Sequence, residues 1–134
     1  MEDPKPILVS AGILTANGAV LICQRHHTDP YGMQWEFPGG KAKAGEELKA
    51  SLVRELAEEL DIRAEPGDEV FRLRHRYPDR YVEVAFFHVP SYQGTLQNRV
   101  FEAIKWVPRA RLTEYPFLEA DRELVARIAG GELV

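Results

Sequence analysis

Between Ile7 and Thr15 the chain is dominated by aliphatic residues, a run that predicts a buried strand. Asn17-Gly18 follows, a pair that favours a two-residue hairpin turn, and Ala19 to Arg25 returns as a second strand. Residues 26–34, HHTDPYGMQ, are polar and predict a loop, after which Trp35 to Phe37 is a short strand running into Pro38-Gly39-Gly40. The pattern then changes. The second half of Gly40 to Ile62 has no Gly or Pro and is filled with good helix formers. Leu52, Val53, Leu56 and Leu60 share one arc of that helix and are placed to meet a core. Glu65-Pro66-Gly67-Asp68 breaks the chain. Strands are expected at Val70 to Tyr77 and Tyr81 to Val89, with Pro78-Asp79-Arg80 as the turn between them. Pro90 to Asn98 reads as a loop and Ala103 to Val107 as the last strand. Leu118 to Ala129 reads as the last helix, stopped by Gly130-Gly131. Strands, helix, strands, helix is the order of an α+β or three-layer domain, with helices packed on a mixed sheet.

At 134 residues the chain is long enough for one core and too short for two, so residues 1–134 are read as a single domain with a loose arm at 1–6. A formal net charge of −4 argues against a nucleic-acid polymer as partner, because such proteins carry a basic footprint. It does not argue against a small phosphorylated ligand that arrives with its own metal. The single cysteine, Cys23, excludes an internal disulfide framework and reads as a buried strand residue in a reducing compartment. No apolar run approaches the roughly 20 residues that span a bilayer. The start MEDPKP is acidic and unlike a signal peptide. The expectation is a cytoplasmic monomer or homodimer with no membrane partner.

The candidate chemistry lies on the central helix. Glu55, Glu58 and Glu59 stand at i, i+3 and i+4 and span an arc of about 100°. Three neighbouring carboxylates repel one another unless a cation sits between them, and a hard divalent ion with oxygen ligands is the natural partner. Taken alone, RELAEEL is also a common solvated helix face. The lead-in Trp35-Glu36-Phe37-Pro38-Gly39-Gly40-Lys41 distinguishes the two readings, because two glycines let the backbone approach a ligand closely.

This stretch resembles the signature box of the Nudix hydrolases, G-x5-E-x7-R-E-U-x-E-E-x-G-U with U aliphatic. Gly40, Glu46, Arg54, Glu55, Leu56, Glu58, Glu59 and Ile62 match it. Asp61 stands where the family has Gly, at the point where a left-handed residue commonly closes a helix; Asp tolerates that conformation better than most residues. The resemblance runs from about residue 7 to 129 and is far more specific in the box than outside it. It implies an α/β/α sandwich with the box as loop-helix-loop and a C-terminal helix. It also implies hydrolysis of a phosphoanhydride assisted by Mg2+, with Mn2+ as a substitute. On that reading Glu58 and Glu59 are direct ligands, and Glu55 is the base or a water-mediated ligand. The carbonyl of Gly39 or Gly40 supplies another oxygen, and Glu46 and Arg54 are a supporting pair. Lys41 either meets a phosphate or is a solvated loop lysine. Glu102 is the nearest counterpart of a further family ligand from a later loop; its other reading is an ordinary exposed residue.

Within the family the chain looks most like the MutT branch, through Trp-Glu-Phe-Pro-Gly-Gly-Lys, Tyr77-Pro78-Asp79-Arg80 and Tyr115-Pro116 to Asp121. That likeness implies a nucleoside triphosphate pyrophosphohydrolase that clears oxidised nucleotides such as 8-oxo-dGTP. Asp121 would read the base edge, or merely sit in the first turn of the last helix. Arg25 and Arg80 would contact nucleotide, and Phe37 would stack on the base or pack in the core. Gly94-Thr95-Leu96-Gln97 with Tyr115-Pro116 also resembles relatives that prefer cytosine nucleotides, dCTP, 5-methyl-dCTP or CTP. Pro78 lies near a proline of ADP-ribose-cleaving relatives, though Pro-Asp-Arg fits the MutT reading better. Some Nudix domains sense nucleotide without hydrolysing it and often lose box carboxylates; this chain keeps them all. Arg72, Arg74 and Arg76 alternate onto one strand face, expected to be solvated. His26-His27 lacks a third ligand nearby in sequence, which counts against zinc there.

Overall fold

The computed structural model describes residues 4–134. The opening hairpin sets the frame: β1 (Ile7–Ala16) and β2 (Ala19–Gln24) meet at Asn17-Gly18, both with positive φ, the conformation that a tight hairpin demands. After the polar loop come β3 (Trp35–Glu36) and β4 (Gly39–Lys41), then α1 (Leu48–Leu60). Strands β5 (Arg63–Glu65), β6 (Glu69–Arg76), β7 (Tyr81–Val89), β8 (Ser91–Gln93) and β9 (Ala103–Pro108) follow. Two short 3-10 helices, Arg109–Glu114 and Glu119–Asp121, lead into α2 (Arg122–Ala129).

Strand β1 is the spine. It runs parallel to β7 from Ile7↔Val82 to Leu14↔Val89, pairs with β4 on its other side, and reaches β2 at its end. The seven-stranded mixed sheet has the path β3-β2-β1-β7-β6, with β4 added to β1 and β9 to β2. Strand alternation divides the core into two. Ile13, Val20, Ile22, Phe86 and Val107 face α2 and pack with Leu124, Val125 and Ile128. Leu14, Leu21, Ala85, Phe87 and Val89 face α1 and pack with Leu52, Leu56 and Leu60. This is the expected three-layer α+β sandwich.

Three local expectations change. Pro90 to Asn98 contains β8, which pairs with β5 as a separate two-stranded ribbon; three residues give too short an alternation to read. The last helix starts as a 3-10 turn, so only Arg122–Ala129 is α-helical. Val53 is only half-buried, and its place on α1 is taken by Ser51, whose hydroxyl lies 3.2 Å from that of Ser10 on β1 in an otherwise apolar contact. Of the expected arm, residues 1–3 lie outside the described residues.

Candidate active site

The helix carboxylates of Glu55 and Glu59 lie directly against β4 because Gly39 and Gly40 have no side chains. Gly40 pairs with Ser10 and Gly39 with Ala11. Gly39 has φ 153°, and a Cβ there would overlap the Ser10 carbonyl oxygen. A Cβ at Gly40 would instead overlap the Glu55 carboxyl. The Gly39 N–H donates to Glu59 Oε1 at 3.1 Å. Glu55, Glu58 and Glu59 therefore line the same cleft, of about 630 Å³, together with Gly39, Gly40 and Lys41.

Negative charge is concentrated here. Burial above all, then the charges of Glu55 and Glu36, push the Glu59 carboxyl up to about 8, against the opposing Gly39 N–H. Arg54 pairs with Glu55 and, at 3.4 Å, with Glu58, and makes no such contact with Glu59. Its Nε and Nη2 donate to the two oxygens of Glu46, both at 2.9 Å, its Nη1 to Glu55 at 2.9 Å, and its Nη2 also to the Lys41 carbonyl. This fork–carboxylate pair ties the box loop to α1. The Arg54 guanidinium, aided by the Lys43 N–H, holds the Glu46 carboxyl down at about 2.

The other end of the cleft is assembled from distant segments. Asp121, only 6% exposed, precedes α2 and makes no side-chain capping bond, so the helix start does not account for it. Burial, with the Glu36 charge behind it, pushes its carboxyl up to about 8. Arg25 Nη1 donates to Glu36 at 3.0 Å and its Nε to the Pro30 carbonyl at 2.8 Å. Even so, burial outweighs Arg25 and raises the Glu36 carboxyl. The Arg80 guanidinium lies 5.9 Å from the Tyr31 ring and 5.2 Å from the Tyr77 ring, and its buried Nε has no partner among the described residues. Tyr31, held at φ 59° in the 26–34 loop, donates its hydroxyl to Asp79 at 2.9 Å and so fastens that loop to the turn carrying Arg80. Phe37 packs in the core on Phe86 and Phe117, and it also lines the cleft.

Glu36 and Tyr77 line the cleft and were not singled out from the sequence. The one available signal for Glu36 was a lone acid between two buried aromatics, Trp35 and Phe37. The arginines of β6 meet carboxylates: Arg72 pairs with Glu69 and Glu83, and Arg74 with Glu83. Cys23 is fully buried, and burial pushes its thiol well above the usual range.

Glu102 does not line the cleft with the helix carboxylates. Its Oε1 accepts the His27 backbone N–H at 3.1 Å and lies 2.7 Å from His27 Nδ1. This also corrects the reading of His26-His27 as lacking a third ligand, because tertiary pairing brings Glu102 beside them. Asp61 does close α1 in the left-handed conformation, at φ 58° and ψ 35°. Its carboxylate meets Arg99 at 2.9 Å, an ion pair that a glycine would not have.

A family model for the NUDIX domain matches residues 9–127. The CTP pyrophosphohydrolase of Escherichia coli (strain K12) is 36% identical over 121 residues, covering 90% of each chain. The 8-oxo-dGTP diphosphatase of Haemophilus influenzae is 32% identical over 127 residues, covering 94% of this chain and 93% of the relative. The solution structure of the E. coli ORF135 protein superposes with a TM-score of 0.82 at 35% identity, covering 91% of this chain and 87% of that one. With the box carboxylates and the glycine strand in one cleft, braced by the Glu46–Arg54 pair, and with these relatives matching over nearly the whole chain, the protein belongs to the NUDIX domain family of hydrolases.

Proposed function

We propose that this protein is a metal-dependent pyrophosphohydrolase that converts a nucleoside triphosphate to its monophosphate and pyrophosphate. The observation that carries the reading is the polarity of one cleft. Glu55, Glu58 and Glu59 crowd one end, while Glu36, Arg80 and Asp121 form a buried polar pocket at the other, with Phe37 in the wall. Only Arg25, Lys41 and Arg80 face the acidic residues Asp29, Glu36, Glu55, Glu58 and Glu59 in the lining, so a polyphosphate needs a divalent cation to enter. The donor set fits such an ion, because a raised Glu59 carboxyl beside Glu55 is a site that gains by binding a cation.

Glu58 and Glu59 would hold the ion directly, with a carbonyl of Gly39 or Gly40 as a further oxygen; magnesium is the proposed metal and manganese suits the same donors. When bound, it supplies neutralisation of phosphate charge and a more acidic water. Glu55 accepts the proton of the attacking water. The water oxygen bonds to phosphorus, the α–β bridging P–O bond breaks, and its electron pair leaves with the departing phosphate oxygen. Lys41 meets the phosphates at the mouth. No enzyme-bound covalent intermediate is required.

At the far end a protonated Asp121 donates a hydrogen bond and Glu36 accepts one, so a base carrying both amino and carbonyl groups is the proposed fit. Arg25 orients Glu36, and Arg80 contributes the Nε that has no partner. The leading substrate is 8-oxo-dGTP, in keeping with the H. influenzae relative. A cytosine nucleotide is the second reading, favoured by the 36% identical CTP pyrophosphohydrolase. On this proposal the chain acts as one domain, in the cytoplasm, as a monomer or homodimer. Purified protein is incubated with magnesium and 8-oxo-dGTP, dGTP, dCTP, 5-methyl-dCTP, CTP or ADP-ribose, and both products are identified. Monophosphate and pyrophosphate are expected from a triphosphate. Orthophosphate as the first product, or tight nucleotide binding with no turnover, would overturn the reading.

A further inference from the structure

We propose that His26, His27 and Glu102 form a second metal site, for a borderline divalent ion of the zinc type, that joins two loops at the rim of the cleft. One donor atom from each of the three side chains lies within 4.8 Å of the others. Two imidazoles and one carboxylate make a donor set for zinc, cobalt or nickel rather than for magnesium, which prefers oxygen alone. Three protein ligands with an open fourth position are also a familiar zinc arrangement.

The backbone places these groups before any ion arrives. Strands β2 and β9 pair antiparallel down to Gln24↔Ala103, and the Glu102 N–H continues the ladder to the Gln24 carbonyl at 2.9 Å. Glu102 is thereby set opposite the chain just after β2, where His26 and His27 emerge. The two histidine rings lie side by side, with centroids 4.3 Å apart and a tilt of 32°. His26 Nδ1 lies 2.8 Å from Thr28 Oγ1 and 3.3 Å from the Thr28 backbone nitrogen, which fixes that ring and leaves its Nε2 free among these contacts. An orienting bond on the second ring nitrogen is typical of metal-binding histidine.

The site is separate from the carboxylate cluster, since none of the three residues lines the cleft, yet their neighbours do. Arg25 and Asp29 come from the histidine loop, and Val100 and Phe101 from the loop that precedes β9. An ion here would staple the two loops together across the cleft rim. The competing explanation is a plain His27–Glu102 hydrogen bond on an exposed edge, satisfied without metal.

The test uses the full chain with Glu58→Gln and Glu59→Gln, which removes the two proposed direct ligands on the helix, so the outcome does not depend on whether hydrolysis is the protein's reaction. Cobalt is titrated and read by its visible absorption; zinc is then titrated calorimetrically in excess magnesium. Binding of one cobalt or zinc per chain, not displaced by magnesium, is expected. Adding His27→Ala or Glu102→Gln should weaken it at least about ten-fold, with circular dichroism confirming the fold. No zinc or cobalt uptake in the double variant, or uptake unchanged by both further substitutions, would overturn the proposal.

Discussion

The two ends of the cleft use the same kind of residue in different ways. At the α1 end, Glu55, Glu58 and Glu59 come from one helix and line one cleft, and the Arg54 guanidinium is shared among Glu46, Glu55 and Glu58 and makes no such contact with Glu59. At the other end, Glu36 and Asp121 come from segments far apart in sequence and are raised chiefly by burial. A cation at the first end would draw Glu59 back to its carboxylate form. At the second end Asp121 stays protonated near neutral pH and becomes a donor. Crowded acids suit metal-assisted hydrolysis, and buried acids suit hydrogen-bonded recognition.

The largest effect expected from breaking this contrast is at the first end. Glu58→Gln or Glu59→Gln should lower kcat by roughly 10²–10⁴-fold, the scale of losing a positioned catalytic carboxylate, while thermal melting shows an intact fold. Unchanged turnover would refute the metal assignment. The two glycines then separate activity from stability. Gly40→Ala displaces the Glu55 carboxyl and should lower kcat with little change in Tm. Gly39→Ala strikes the backbone of β1 and should lower Tm first. A matched loss of Tm in both would mean that Gly40 serves only the fold.

Asp121 sharpens the other side through pH. Its folded value of about 8 lies above the ordinary 3.8, so the folded chain keeps a proton that the unfolded chain has released. Stability from this group is whole below about pH 4 and is lost as pH rises through the window up to about 8. Asp121→Asn removes that loss. The variant should gain on the order of 4 kcal/mol over wild type between pH 5 and pH 8, read by denaturant melts at each pH. A difference independent of pH would contradict a buried, protonated Asp121. The smallest effect is at Asp61. Asp61→Gly relieves a left-handed residue but loses an exposed ion pair, so stability should shift by less than about 1 kcal/mol. Asp61→Ala keeps the strain without the pair and should be the less stable of the two.

The difference between the two ends also explains what the sequence disclosed. Helix period and local spacing are properties of a short stretch, so the three carboxylates were legible directly, while Glu46 with Arg54 and the left-handed Asp61 came through the resemblance of the box. The order of strands and helices gave the layered fold for the same reason. The recognition end depends on pairing across the sheet. Phe37, Arg25, Arg80 and Asp121 were reached only through resemblance, and Glu36 and Tyr77 were not reached at all. Neither the Tyr31–Asp79 contact nor the meeting of His26, His27 and Glu102 leaves a local pattern, because each joins segments separated by dozens of residues. The short β8 escaped because its partner β5 is equally short.

The division of labour is tested most directly by measuring kcat/KM for wild type, Glu59→Gln and Asp121→Asn on 8-oxo-dGTP, dGTP, dCTP and CTP. The expected result is a uniform loss across all four for Glu59→Gln, and a reordering of the four for Asp121→Asn. A uniform loss for Asp121→Asn, with the order of substrates preserved, would contradict the assignment of recognition to the buried end of the cleft.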